Sequence, residues 1–297
     1  MTSTDAKTIL LTGATGYVGG SLLPELLARG HRVRCLVRSP DRAQLPEEAE
    51  VVKGDVVKAE GLDAAMEGVD VAYYLVHSMG SGDDFADCDR RAAEAFGDAA
   101  KAAGVGRVVY LGGLEGDDSP SEHLRSRHEV AGVLRERAAE FVYVRAAMVI
   151  GAGSASFLMM RHLVQRLPAM ITPKWIDTRS QPIAITDVVA TLADLAEREQ
   201  VPQEVQLGGA DVLTYREMMV RFAAIIGRRP PVVVTVPVLS PRLSSYWVSL
   251  VTPVDSGLVR PLVDGLSTEM VVRDAPPDGI NDDPLGFDDA VRSALSS

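Results

Sequence analysis

Cysteine is scarce: two in 297 residues, Cys35 and Cys88. Two thiols, with no metal-ligand spacing near either, give neither a disulfide framework nor a zinc site, and read as free thiols in a reducing cytosol. Positive charge is also short, with 30 Lys and Arg against 41 Asp and Glu and a formal net charge of −11. That balance argues against nucleic acid, whose phosphates demand a basic surface. Long apolar runs are missing too. The most apolar late stretch, Val232 to Val254, is broken by Pro237, Pro241, Arg242 and Pro253, so no membrane span is expected. The N-terminal Met1-Thr2-Ser3-Thr4-Asp5-Ala6-Lys7 lacks the apolar core of a secretory signal, and the expected location is cytoplasmic. The five histidines show no metal-ligand spacing, and no Gly-x-Ser-x-Gly elbow marks a serine hydrolase. What remains, 46% hydrophobic and 24% charged residues, is ordinary material for a folded core.

Against these absences stands a dense glycine cluster, Thr12-Gly13-Ala14-Thr15-Gly16-Tyr17-Val18-Gly19. It follows the apolar run Ile9-Leu10-Leu11 and precedes a helical pattern carried by Leu22, Leu23, Leu26 and Leu27. Strand, glycine turn and helix together make a phosphate-binding loop. Glycines let the chain turn tightly and a pyrophosphate approach the backbone, and the helix start offers N–H groups and a positive dipole end. Gly13, Thr15, Gly16, Tyr17, Val18 and Gly19 are therefore candidate dinucleotide contacts. Their spacing, G-x-x-G-x-x-G, is a variant of the usual fingerprint.

The second strand, His31 to Val37, ends in Arg38-Ser39-Pro40-Asp41-Arg42. An NAD site carries a carboxylate near this point to bind the ribose hydroxyls. A guanidinium instead suits a 2′-phosphate, so Arg38 points to NADP(H) over NAD(H). The third strand, Val51 to Asp55, places Asp55 and Val56 at its carboxyl end as candidate adenine contacts, with Asp55 as N-cap of the following helix the rival reading.

Further strands are expected over Val69 to Val76, Arg107 to Leu111 and Phe141 to Arg145. Helices are expected over roughly 62–66, 83–103 and 121–137. This βα alternation calls for a doubly wound parallel sheet with helices on both faces, an α/β fold. At the strand ends, Leu75, Val76, His77, Gly112, Gly113, Ala146 and Met148 become candidate contacts for the nicotinamide half. Beyond 150 the pattern loosens: a helix after Gly151-Ala152-Gly153-Ser154, with Ser154 and Ser156 as capping residues, and an irregular 168–179. Then come helices over 188–199 and 214–226, a strand at Val232 to Val234, a pocket-shaping cover over 239–267, a last strand at Met270 to Val272 and a loose acidic tail. The expected division is a cofactor domain over 1–205 and a smaller substrate-side lobe over 206–297, with 151–180 contributing to the pocket.

On the glycine cluster, Val37-Arg38-Ser39-Pro40, Gly54-Asp55-Val56 and Pro182-Ile183-Ala184-Ile185-Thr186-Asp187-Val188-Val189, the chain resembles the short-chain dehydrogenase/reductase superfamily. It is most similar to the atypical NAD(P)-binding members, the NmrA-like proteins and relatives of the complex I subunit of this fold. Tyr73-Tyr74-Leu75-Val76-His77-Ser78-Met79 looks like one bacterial subgroup. The resemblance implies a Rossmann fold and an oxidoreductase. It also implies a Tyr-x-x-x-Lys pair on the helix after the fifth strand, assisted by a Ser or Thr at that strand's end. Here His123 stands at the tyrosine position, Arg127 at the lysine position, and Gly112 or Gly113 at the serine position.

Imidazole titrates near neutrality, so His123 is a candidate replacement acid, and Arg127 a candidate ribose ligand that cannot deprotonate. His77 and Ser78 are further candidate polar groups for a substrate. Two functions follow. One is an NADP(H)-dependent oxidoreductase of a small, apolar carbonyl, enone or quinone-like substrate, with a pocket lined by Met148 to Met160, Trp175, Tyr246 and Trp247. The other is a non-catalytic dinucleotide-binding sensor or assembly protein acting through a protein partner. A sugar-nucleotide epimerase or dehydratase is a weaker third reading, since it too needs the missing tyrosine and lysine.

Overall fold

The structure, a computed structural model, describes residues 6–76, 84–114, 122–236 and 265–296, without the side chains at 84, 85 and 122–124. The expectations for His77, Ser78, Tyr246 and Trp247 lie outside the described residues. The chain divides into two compact units, each assembled from several segments: Met1–Gly112, Ser126–Arg145 and Val189–Val205 in the first, and Gly113–Arg125, Ala146–Val188 and Gln206–Ser297 in the second.

The framework is a central parallel sheet of seven strands flanked by helices, a doubly wound α/β fold. Its strands are β1 (Thr8–Thr12), β2 (Arg32–Val37), β3 (Glu50–Lys53), β4 (Val71–Tyr74), β5 (Arg107–Gly113), β6 (Glu140–Ala146) and β11 (Glu204–Leu207). They lie in the order β3-β2-β1-β4-β5-β6-β11. β1 therefore pairs on one side with β2 and on the other with β4, in parallel both times. The chain reverses its winding there, which opens a crevice beyond the strand ends where ligands of such sheets bind.

In the first unit, Ile9, Leu10 and Leu11 of β1 are fully buried. Helices α1 (Tyr17–Ala28), α2 (Leu62–Met66), α3 (Asp84–Ala103) and, from Ser126, α4 (Glu122–Arg137) surround the sheet. One face carries a tyrosine ladder: Tyr110 stacks on Tyr143 with ring centres 5.3 Å apart, and meets Tyr74 edge-on. The α6 helix (Ile185–Glu197) is tied to this unit by polar contacts. The Tyr73 hydroxyl donates to the Leu192 carbonyl at 2.6 Å, and Arg29 reaches Asp194 at 2.7 Å. His31, buried, accepts the Lys7 N–H on Nδ1 and meets Glu197 through Nε2 at 3.1 Å.

The second unit has its own core, including Phe157, Met160, Leu163, Trp175, Met218, Phe222 and Phe287. It is built from α5 (Ala155–Arg166), α7 (Tyr215–Ile225), α8 (Phe287–Ser296) and short strand pairs. Thr214 caps α7 with a full capping box to Glu217, an arrangement typically worth about 1 kcal/mol.

Five local expectations are corrected here. The irregular stretch holds a strand, β8 (Ala169–Thr172), paired in parallel with β13 (Val232–Thr235). Its four residues, set between Pro168 and Pro173, are too few for a periodic pattern to mark them. The loose tail ends in α8, whose Phe287, Ala290, Val291 and Ala294 recur at helical spacing and are buried. The last strand at Met270 to Val272 is reduced to a single bridge from Met270 to Ser180. Trp175, Met159 and Met160, expected as pocket lining, are packed in the second unit's core at 4% exposure each. Ser154 does sit at the N-cap of α5, but its hydroxyl donates to the Val149 carbonyl at 2.7 Å instead of capping.

Candidate cofactor site

The glycine loop is closed by a hydrogen bond from the Gly16 N–H to the Gly13 carbonyl, 2.9 Å. Gly13 adopts φ +74°, a left-handed conformation that favours glycine. A Cβ placed on it would lie 2.5 Å from the Leu75 carbonyl oxygen. A Cβ on Gly19 would overlap the Gly13 carbonyl outright. These two glycines thus hold helix, loop and the end of β4 in a cradle that a methyl group would fill.

Gly16 is the N-cap of α1, with no capping side chain and no acidic residue in the first turn. That leaves the positive end of the helix dipole uncompensated, a favourable place for an anion. Thr12 links the two strands at the crevice. Its hydroxyl donates to the Tyr73 carbonyl at 2.8 Å and accepts the Leu75 N–H at 3.1 Å. Leu75 and Val76 are half-buried just past β4.

Beside this loop lies a pocket of about 720 Å³, lined by Thr15, Val37, Arg38, Ser39, Arg42, Ala43, Lys53, Gly54, Asp55, Lys58 and Glu60. Of the sequence candidates it brings together Thr15, Arg38 and Asp55. It adds Arg42, Lys53 and Lys58, which the sequence reading did not assign. Arg42 was findable. A short turn over Pro40–Arg42 follows Arg38 and brings the second guanidinium back to the same pocket. Four cations face two carboxylates here, in a chain whose net charge is −11.

Asp55 is not the N-cap of α2; Gly61 stands there, in a left-handed conformation. Asp55 instead closes a small loop, pairing its backbone with Glu60 and accepting the Val57 N–H on its carboxylate at 2.9 Å. Val56, beside it, is 5% exposed.

Near the end of β5, Gly112 lies against Tyr143. A Cβ there would lie 2.6 Å from the Tyr143 ring. One of the two positions that the resemblance offers for a serine is therefore filled by a phenol from β6. Gly112→Ser is expected to destabilise the protein by about 1–3 kcal/mol through overpacking, read as a fall in the urea midpoint. An unchanged midpoint would show that Tyr143 gives way freely.

Arg127 is half-buried on α4, and its charge acts on Tyr110. Burial drives that phenol far above its ordinary range, and Arg127 opposes the shift. Tyr110 thus stays a neutral phenol at physiological pH. His123 falls in the first turn of α4, with its side chain outside the described residues. Gly113, Ala146 and Met148 belong to the second unit, where the Leu114 N–H bonds the Ala146 carbonyl at 3.0 Å and Met148 joins the core. Arg145, one residue earlier in the first unit, pairs with Glu204 at 2.8 Å. Cys35 and Cys88 are both free, and burial pushes the Cys35 thiol up to about 12, which leaves it unreactive. Among the described residues no helix is long and apolar enough to cross a membrane.

The glycine cradle, the uncapped helix start and the cationic pocket fit a dinucleotide, and comparison with known proteins agrees. Residues 13–150 match an NAD(P)H-binding family. The chain is similar to a ceramide reductase of Caulobacter vibrioides, 28% identical over 238 residues, 77% of this chain and 74% of that one. It is also similar to a 3 beta-hydroxysteroid dehydrogenase/Delta 5→4-isomerase of Mycobacterium tuberculosis, 35% identical over 81 residues, 26% of this chain. That match spans about a fifth of the mycobacterial protein, 22% of its length. Among solved structures, the fold is similar to that of Citrobacter sp. triphenylmethane reductase complexed with NADP(H). The TM-score is 0.76 at 19% identity, over 97% of this chain and 100% of the other. The chain thus carries an NAD(P)H-binding region on a doubly wound α/β sheet, the fold of these solved structures.

Proposed function

We propose that the protein is an NADP(H)-dependent reductase of a small, apolar carbonyl, enone or quinone-like substrate. The observation that carries the cofactor choice is the pocket beyond β2, where Arg38 and Arg42 stand in place of an acidic residue. A carboxylate there would bind the ribose hydroxyls of NAD and repel a 2′-phosphate, whereas a guanidinium can hold the phosphate by paired hydrogen bonds. The apolar substrate class is supported by relatives named for a ceramide and a 3 beta-hydroxysteroid.

When bound, NADPH supplies the hydride. The protein's part is to hold it and to provide a proton. The glycine loop and the start of α1 bind the diphosphate, and Arg38 binds the 2′-phosphate. Arg127, fixed as a cation, binds ribose hydroxyls but takes no part in proton exchange. His123, at the position of the usual tyrosine, gives the proton that the reduced carbonyl oxygen requires and recovers it from water.

A second reading is favoured by Gly112. With Tyr143 against it there is no room at 112, one of the two candidate positions, for an assisting hydroxyl, which suits a non-catalytic sensor that binds the dinucleotide and acts through a protein partner. One experiment separates the two. Purified protein with NADPH and a panel of quinones, enones and hydrophobic ketones is followed by loss of the reduced-cofactor absorbance. Turnover that falls by about 100-fold or more in His123→Ala supports the reductase and the proton role, general acids contributing roughly that much. Tight NADPH binding by calorimetry with no turnover on any substrate establishes the sensor, and turnover unchanged in His123→Ala removes the histidine from the mechanism.

A further inference from the structure

The loop after β3 is built more tightly than a surface connection needs to be. Asp55 and Glu60 exchange both backbone hydrogen bonds at 2.9 Å, and the Ala59 N–H bonds the Val56 carbonyl at 3.2 Å. The stem is compressed from both ends. A Cβ on Gly54 would overlap the Glu60 carbonyl, and one on Gly61, at φ +74°, would lie 2.5 Å from the Lys53 carbonyl. Between them Ala59 is held at φ +56°, one of two non-glycine residues with positive φ among the described residues. A left-handed alanine is disfavoured, and such strain persists only where its surroundings impose it. What the loop carries is Lys58, an exposed side chain that lines the 720 Å³ pocket together with Arg38 and Arg42.

We infer that Lys58 is a specificity-determining residue for the cofactor. The closed loop presents its ammonium as a third cation on the 2′-phosphate of an adenosine, complementing Arg38 and Arg42, which come from the segment after β2. The inference rests on the proposed NADP(H) preference and deepens it. The pocket explains the need for two sources of charge: Asp55 and Glu60 also line it, and a doubly charged phosphate ester near two carboxylates needs more than one cation to be held. Lysine, a compact charge on a flexible stem, suits a phosphate whose exact position is set by the forked guanidinium of Arg38.

The test is calorimetric and needs no substrate. Dissociation constants for NADPH, NADH, adenosine 2′,5′-bisphosphate and ADP are measured for the full chain and for Lys58→Gln, Lys58→Arg and Arg38→Ala. Lys58→Gln is expected to weaken NADPH and the bisphosphate about 5- to 10-fold, as loss of one partly exposed charge contact should, with NADH and ADP changed less than twofold. Lys58→Arg should restore most of the loss. If Lys58→Gln leaves the NADPH-to-NADH ratio unchanged while Arg38→Ala lowers it, the assignment of Lys58 is overturned and the cofactor preference stands. If the unsubstituted protein binds NADH as tightly as NADPH, the preference itself fails, and the role of Lys58 with it.

Discussion

Replacing Gly19 by alanine is expected to reduce NADPH and NADH affinity alike by about 100-fold or more, equivalent to about 2.7 kcal/mol or more of binding free energy. The reason is steric. The added methyl would overlap the Gly13 carbonyl and come within 3.1 Å of the Ala14 backbone nitrogen. Both are backbone atoms, so no side chain can swing away; either α1 shifts outward or the loop opens. Each of these moves the N–H groups that face the diphosphate. Gly19 is also buried in the packing of α1 on the sheet, so stability should fall by about 1–3 kcal/mol, the usual cost of overpacking. Isothermal titration with both cofactors and a urea melt separate the two effects. A variant that binds NADPH normally would show that the loop does not hold the diphosphate as argued.

Arg38→Glu should act on one cofactor only. Charge-assisted hydrogen bonds are worth about 1.5–3 kcal/mol each, so their replacement by repulsion should weaken NADPH by about 100-fold or more. NADH, which offers ribose hydroxyls there, should gain or stay within about threefold, because the new carboxylate can accept from them. The preference would then reverse. Added salt should narrow the difference between the unsubstituted protein and the variant, since exposed charges are screened. Equal losses for both cofactors would mean that Arg38 supports the pocket's structure and does not read the phosphate.

The glycine loop, Arg38 and the strand–helix alternation were legible because they depend on local chemistry. A strand followed by glycines and an apolar helix has few other solutions, and Gly13 to Gly19 form the expected turn at the reversal between β1 and β4. The buried run of β1 and the charged end of β2 needed no knowledge of distant partners either. Arg42 sat in plain view but its direction was set by the turn at Pro40, a local geometry the sequence reading did not follow through. Trp175, Met159 and Met160 misled for the opposite reason: apolar side chains line pockets and cores alike, and only their neighbours decide which.

By itself, then, the sequence determined the fold class, the glycine loop between β1 and α1 and a cation where NAD sites carry an acid, all of them encoded over a few neighbouring residues. Tertiary structure decided what depends on partners far along the chain. It set Tyr143 against Gly112 across β5 and β6, so that a side chain at 112 has no space. It paired β8 with β13 across about 60 residues, and it buried the face of α8. It also folded 55–60 into a closed loop that brings Lys58 to the pocket that Arg38 lines. Side-chain identity names the chemistry available; only packing, which fixes which atoms share a volume, decides where that chemistry is brought together.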